Sequence, residues 1–186
     1  MDSSKLSFKF FLADGSHFDS AAIVPLFHSW IQKRTVQGHL LIDVAEYDHV
    51  QNGPGTVLVA HEGNFSTDLA IGGAPGLLYM RKQPLAGDLA ARIRQTLKIT
   101  LQAVAALETE TKLKFRADNP LFRIYDRLEA PNTAATFDAV KGALQTTLDL
   151  VYGSPVKLHY KADEQGVFEI RIASVAMSAT NLLGQL

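Results

Sequence analysis

Near the start of the chain every second residue is apolar: Leu6, Phe8, Phe10 and Leu12 alternate with Ser7, Lys9 and Phe11, the period of a strand with one strongly buried face. The period then lengthens. After the turn Asp14-Gly15-Ser16, Ile23, Phe27, Trp30 and Ile31 recur at helical spacing and predict a helix from about Ile23 to Arg34, with Pro25 confined to its first turn. Gly38 closes that element. The short apolar run His39 to Ala45 predicts a buried central strand carrying an acid, Asp43. Thr56 to Ala60 and Gly76 to Arg81 read as two further strands of the same sheet, separated by a Gly-rich connection.

Leu89, Ile93, Leu97, Leu101 and Val104 make one stripe of a long helix between Asp88 and Glu108. Leu113 to Ala117 and Leu121 to Leu128 flank Asp118-Asn119-Pro120, which predicts either a hairpin or a long bent strand. A third helix carries Phe137, Val140, Leu144, Leu148 and Val151, is capped near Thr133, and is stopped by Gly153 and Pro155. Val156 to Lys161 and Val167 to Ala173, around Glu164-Gln165-Gly166, read as a closing antiparallel hairpin. Single helices set irregularly among runs of strands predict an α+β fold. We expect a mostly antiparallel or mixed sheet of six to seven strands with three helices packed on it. Residues 1–173 would form one domain and 174–186 an uncharged C-terminal tail.

Composition narrows the functional classes. With 186 residues, 47% hydrophobic and 20% charged, the chain carries enough apolar area for one sizeable core. A formal net charge of -1 supplies no field for phosphate backbones or anionic lipid, so nucleic acid and membrane are not expected partners. The uncharged stretches Leu69 to Met80 and Ile172 to Leu186 fall short of the roughly 20 residues that span a bilayer. Met1-Asp2-Ser3-Ser4-Lys5 leads into strand alternation rather than a signal sequence, and the chain has no cysteine; both favour a cytoplasmic location.

Two polar clusters are candidates for chemistry. Asp43, Glu46, Asp48, His49, His61, Glu62 and Asp68 gather carboxylates and imidazoles around strand ends, where oxygen and nitrogen ligands suit a divalent metal and a His–carboxylate pair suits general acid–base work. Within it Asp43, His61 and Glu62 are the candidate metal ligands, and His61, Glu62 and Asp68 the candidate catalytic groups. His61-Glu62 lacks the H-E-x-x-H spacing, so a solvated strand end with locally bonded side chains is the plainer explanation, and no cofactor is favoured. The second cluster, Arg81, Lys82, Arg123 and Arg127 with Tyr79 and Tyr125, offers forked donors beside aromatic faces to a small anionic ligand, Tyr125 being the aromatic singled out for binding. A salt-bridged sheet surface is its plainer alternative.

Three segments, His61-Glu62-Gly63, Pro75 to Tyr79 with Arg81-Lys82, and Asp126-Arg127-Leu128 with Ala130 to Thr133, resemble those of an uncharacterised bacterial family of similar length. That resemblance covers most of the chain, implies a bacterial origin and carries no activity with it. The reading we favour is a non-enzymatic accessory domain that binds a small anionic ligand or a protein partner, with self-association into a homo-oligomer. A metal-dependent hydrolase or lyase built on Asp43, His61 and Glu62 is the first alternative, and a structural oligomer subunit the second.

Overall fold

The alternating apolar residues of β1 (Leu6–Leu12) set the plan of the molecule, because Leu6, Phe8, Phe10 and Leu12 all enter one core. The computed structural model describes residues 5–163 and 165–186. Met1 to Ser4 and Glu164 of the expected final turn lie outside the described residues. The chain continues through α1 (Ser20–Lys33), β2 (Leu41–Glu46), β3 (Thr56–Ala60), β4 (Gly63–Ser66), a 3₁₀ turn (Ile71–Gly73) and β5 (Gly76–Arg81). It then forms α2 (Leu89–Glu110), β6 (Phe115–Ile124), α3 (Ala134–Tyr152), β7 (Lys157–Tyr160), β8 (Phe168–Ala173) and α4 (Ala179–Leu183). The strands join one antiparallel sheet in the order β2-β3-β4-β5-β1-β6-β8-β7, with the helices on one face.

The α+β class is as the pattern predicts, while the sheet has eight strands and the described residues form four helices. The unforeseen strand, β4, comes from the Gly-rich connection: glycine is needed at position 63 because a Cβ would lie 2.6 Å from the Met80 carbonyl. The fourth helix, α4, lies inside residues 174–186, where Val175, Ala179, Leu182, Leu183 and Leu186 recur at helical spacing in what the count of three helices leaves as a tail. Ser178 caps it by accepting the Asn181 N–H at 3.1 Å, and its Ala179 and Leu182 are buried, with α4 packed on α2. The Asp118-Asn119-Pro120 turn signal marks a bulge rather than a hairpin. Two steps along β1, from Lys9 to Phe11, face five along β6, from Leu121 to Arg116.

Two local expectations are corrected. α1 begins at Ser20, capped by Asp19, so Pro25 lies beyond the first turn, where its missing N–H leaves the Ala21 carbonyl without its helical donor. Asp43 is exposed on β2, an edge strand and not a central one. Leu41 and Val44 supply the core contacts of that run, whereas Leu40 and Ile42 project outward beside a register shift between Leu41 and Asp43. Among the described residues no helix is long and apolar enough to cross a membrane.

The topology repeats a theme. In each half an opening strand leads into a helix, and antiparallel strands then return beside the opening strand: β5 beside β1, and β8 beside β6. The two opening strands pair with each other at the centre, where Phe8 lies opposite Phe122 with ring centroids 5.1 Å apart.

Candidate functional site

On β1 the alternation that sends Leu6, Phe8 and Phe10 into the helical core sends Ser7, Lys9 and Phe11 to the opposite, helix-free face. All three are nonetheless buried, Lys9 completely, because residues 67–75 fold back across the middle of the sheet. The Lys9 Nζ holds that segment. It lies 2.5 Å from Asp68 Oδ1 and donates to the carbonyls of Ile71 and Ala74, both at 2.7 Å, with the Asp68 carbonyl at 3.2 Å. Burial pulls the ammonium below its ordinary pKa, and the Asp68 carboxylate opposes that pull. Asp68 Oδ1 in turn accepts the N–H groups of Ala70 and Ile71. Gly72, at φ 74°, passes directly over the sheet; a Cβ there would meet the Phe11 ring at 2.7 Å, and its carbonyl accepts from Arg171.

Beside this fixed segment the strands β2 to β5 leave a cleft of about 410 Å³, with Val57, Val59, Leu78, Met80 and Ile71 as its apolar walls. Tyr125 stands at its border. The Tyr125 hydroxyl accepts from Arg123 Nη1 at 3.2 Å, and the guanidinium lies 5.2 Å from the ring centre. Arg123 Nε is 3.2 Å from Glu169 Oε2, so that guanidinium already has its counter-ion. Burial raises the Tyr125 pKa against the opposing influence of Arg123, and the phenol keeps its proton at neutral pH. The Ser7 hydroxyl is buried beside it and, like Arg123, favours the phenolate against the effect of burial.

A second polar arrangement sits on the helix side. His39 Nε2 is 2.7 Å from the hydroxyl of Tyr79, which also receives Arg81 Nη1 at 3.4 Å. The order that satisfies every group runs from Arg81 to Tyr79 to His39, with the Tyr79 O–H donated to Nε2 and Nδ1–H turned toward the Gln37 carbonyl at 3.4 Å. Burial, aided by Arg81, lowers the His39 pKa and keeps the ring neutral; burial likewise raises that of Tyr79. His39 escapes a reading of the sequence, where it appears only as the first residue of an apolar run. Glu62 lies at the edge of this group. Partial burial raises its carboxyl pKa, but the N–H groups of Leu40, at 2.8 Å, and of Glu62 itself hold it below the ordinary value.

The sequence-predicted residues are thus dispersed. His61 is exposed in the β3–β4 turn, and Asp43 spends an oxygen on the N–H of its neighbour Val44 at 2.8 Å. Asp68 is occupied by Lys9. Among the described residues no three His, Asp or Glu side chains come together to hold a metal ion, so the structure does not assemble Asp43, His61 and Glu62 into a ligand set. The basic cluster is divided by the pleat. Arg81 joins Tyr79 on the helix side, whereas Arg123 and Tyr125 lie on the helix-free side; Lys82 follows β5, and Arg127 is exposed beyond β6. No family model, curated protein or solved structure matches the chain.

Proposed function

We propose that this chain is a non-enzymatic, small-molecule-binding accessory domain whose ligand enters the cleft on the helix-free face of the sheet. The observation that carries the reading is the Lys9–Asp68 pair. Burying a full ion pair in a sheet is expensive, and here its product is a fixed wall over residues 67–75 that shapes a cavity of the size small ligands occupy. A strand-adding protein partner has less support, because both sheet edges are blunted. Edge strand β2 carries a register shift with exposed Asp43 and Glu46, and edge strand β7 is short, begins at exposed Lys157 and is followed by exposed Lys161.

Methyl-resolved NMR of the full chain against a fragment library tests this directly. Bound fragments should move the methyl signals of Val57, Val59, Leu78 and Met80 together. Hits confined to the opposite side, at Ile31, Leu40 and Leu41, would remove the proposal.

A further inference from the structure

Resting on that reading, we infer that the cleft selects an uncharged aliphatic molecule carrying a hydrogen-bond acceptor oxygen, such as an ester or ketone, which Tyr125 engages. Charge is the first argument. Asp68 is the charged side chain on the cleft wall, and Lys9 neutralises it at 2.5 Å with its own side chain fully buried. Arg123, the nearest cation behind Tyr125, is matched by Glu169. A carboxylate or ammonium entering the cleft would leave water without meeting an unspent opposite charge, a penalty that the apolar walls do not offset.

Geometry supplies the acceptor. The Tyr125 oxygen accepts from Arg123 Nη1, and the Ser7 hydroxyl acts on the same oxygen as a donor that lowers its pKa, so the O–H is the group left to give; Tyr125 borders the same cavity as Val57, Leu78 and Met80. Burial keeps that proton on the phenol. An aliphatic chain would lie along Val57, Val59 and Leu78, with its oxygen toward the β6 side.

A matched set of ligands on the full chain, methyl octanoate, octanoate and octylammonium, separates the alternatives by NMR titration. The ester should shift the Val57, Val59 and Leu78 methyls, with both charged analogues at least roughly tenfold weaker. Tyr125→Phe should weaken the ester by about three- to tenfold, the loss of one neutral hydrogen bond, while methyl signals away from the cleft stay in place. Octanoate or octylammonium binding the same methyls as tightly as the ester would overturn the charge selection and leave the cleft reading standing. Ester affinity unchanged in Tyr125→Phe would overturn the acceptor assignment. No methyl shift with any of the three would overturn the inference and the cleft reading together.

Discussion

Replacing Lys9 with Met keeps the length of the side chain and removes its charge from the centre of the sheet. The Asp68 carboxylate, whose side chain is 4% exposed, then loses its counter-ion, and the carbonyls of Ile71 and Ala74 lose their donor. Removing one partner of a buried pair costs about 3–5 kcal/mol. Asp68 still accepts the N–H groups of Ala70 and Ile71, which places the expected loss near the lower end, about 3 kcal/mol. For a chain of this size that corresponds to a fall in Tm of about 6–12 °C. The double substitution Lys9→Met with Asp68→Asn removes the orphaned charge, and should recover at least about 1 kcal/mol of the loss. Urea denaturation followed by circular dichroism measures both variants, and limited proteolysis within residues 67–75 reports whether the segment lifts before the sheet unfolds. A single variant that loses under about 1 kcal/mol, or a double variant no more stable than the single, would refute the assignment of Lys9 as the clamp of this segment.

Two further outcomes follow from the helix side. Because burial holds the folded His39 pKa below its ordinary 6.5, the unfolded chain takes up the proton first on acidification. This contribution to stability is therefore full above about pH 6.5 and declines as pH falls toward the lowered native value; urea midpoints between about pH 7.5 and 5.5 should show the slope, and His39→Gln should flatten it. Gly63→Ala should destabilise by about 1–3 kcal/mol, since its Cβ would lie 2.6 Å from the Met80 carbonyl and 2.7 Å from the Tyr79 hydroxyl; a thermal melt unchanged from the parent would count against that packing.

What the sequence discloses is what depends on local period. The stripes of α2 and α3 and the alternation of β1 are visible because each buries a face whose spacing is fixed by its own backbone. β4 is not, since it is four residues inside a glycine-rich connection; α4 shows only as the helical spacing of Ala179, Leu182, Leu183 and Leu186, with no charged face to separate a packed helix from a frayed tail. The site is less legible still. Alternation shows that Lys9 and Phe10 point to opposite faces, but not that a segment sixty residues on will cover the second face. Arg81 and Arg123 look like neighbours when read as a cluster, yet one residue of strand parity separates them by the thickness of the sheet. Asp68 is visible as one acid of the cluster around the strand ends; its partner is not, because the pairing is wholly non-local.

The central position of β1 also governs the order in which the chain can assemble. Both of its partners are distant: Ser7 waits for Met80 on β5, and Phe8 for Phe122 on β6, so during synthesis β1 stays open on one side until β6 has been made. In that interval a segment bearing Leu6, Phe8, Phe10, Phe11 and Leu12 is open to the wrong neighbour. Lys9, which later clamps the cleft wall, is the one charge within that strand, and with Lys5 just before it sets like charges against the pairing of nascent copies.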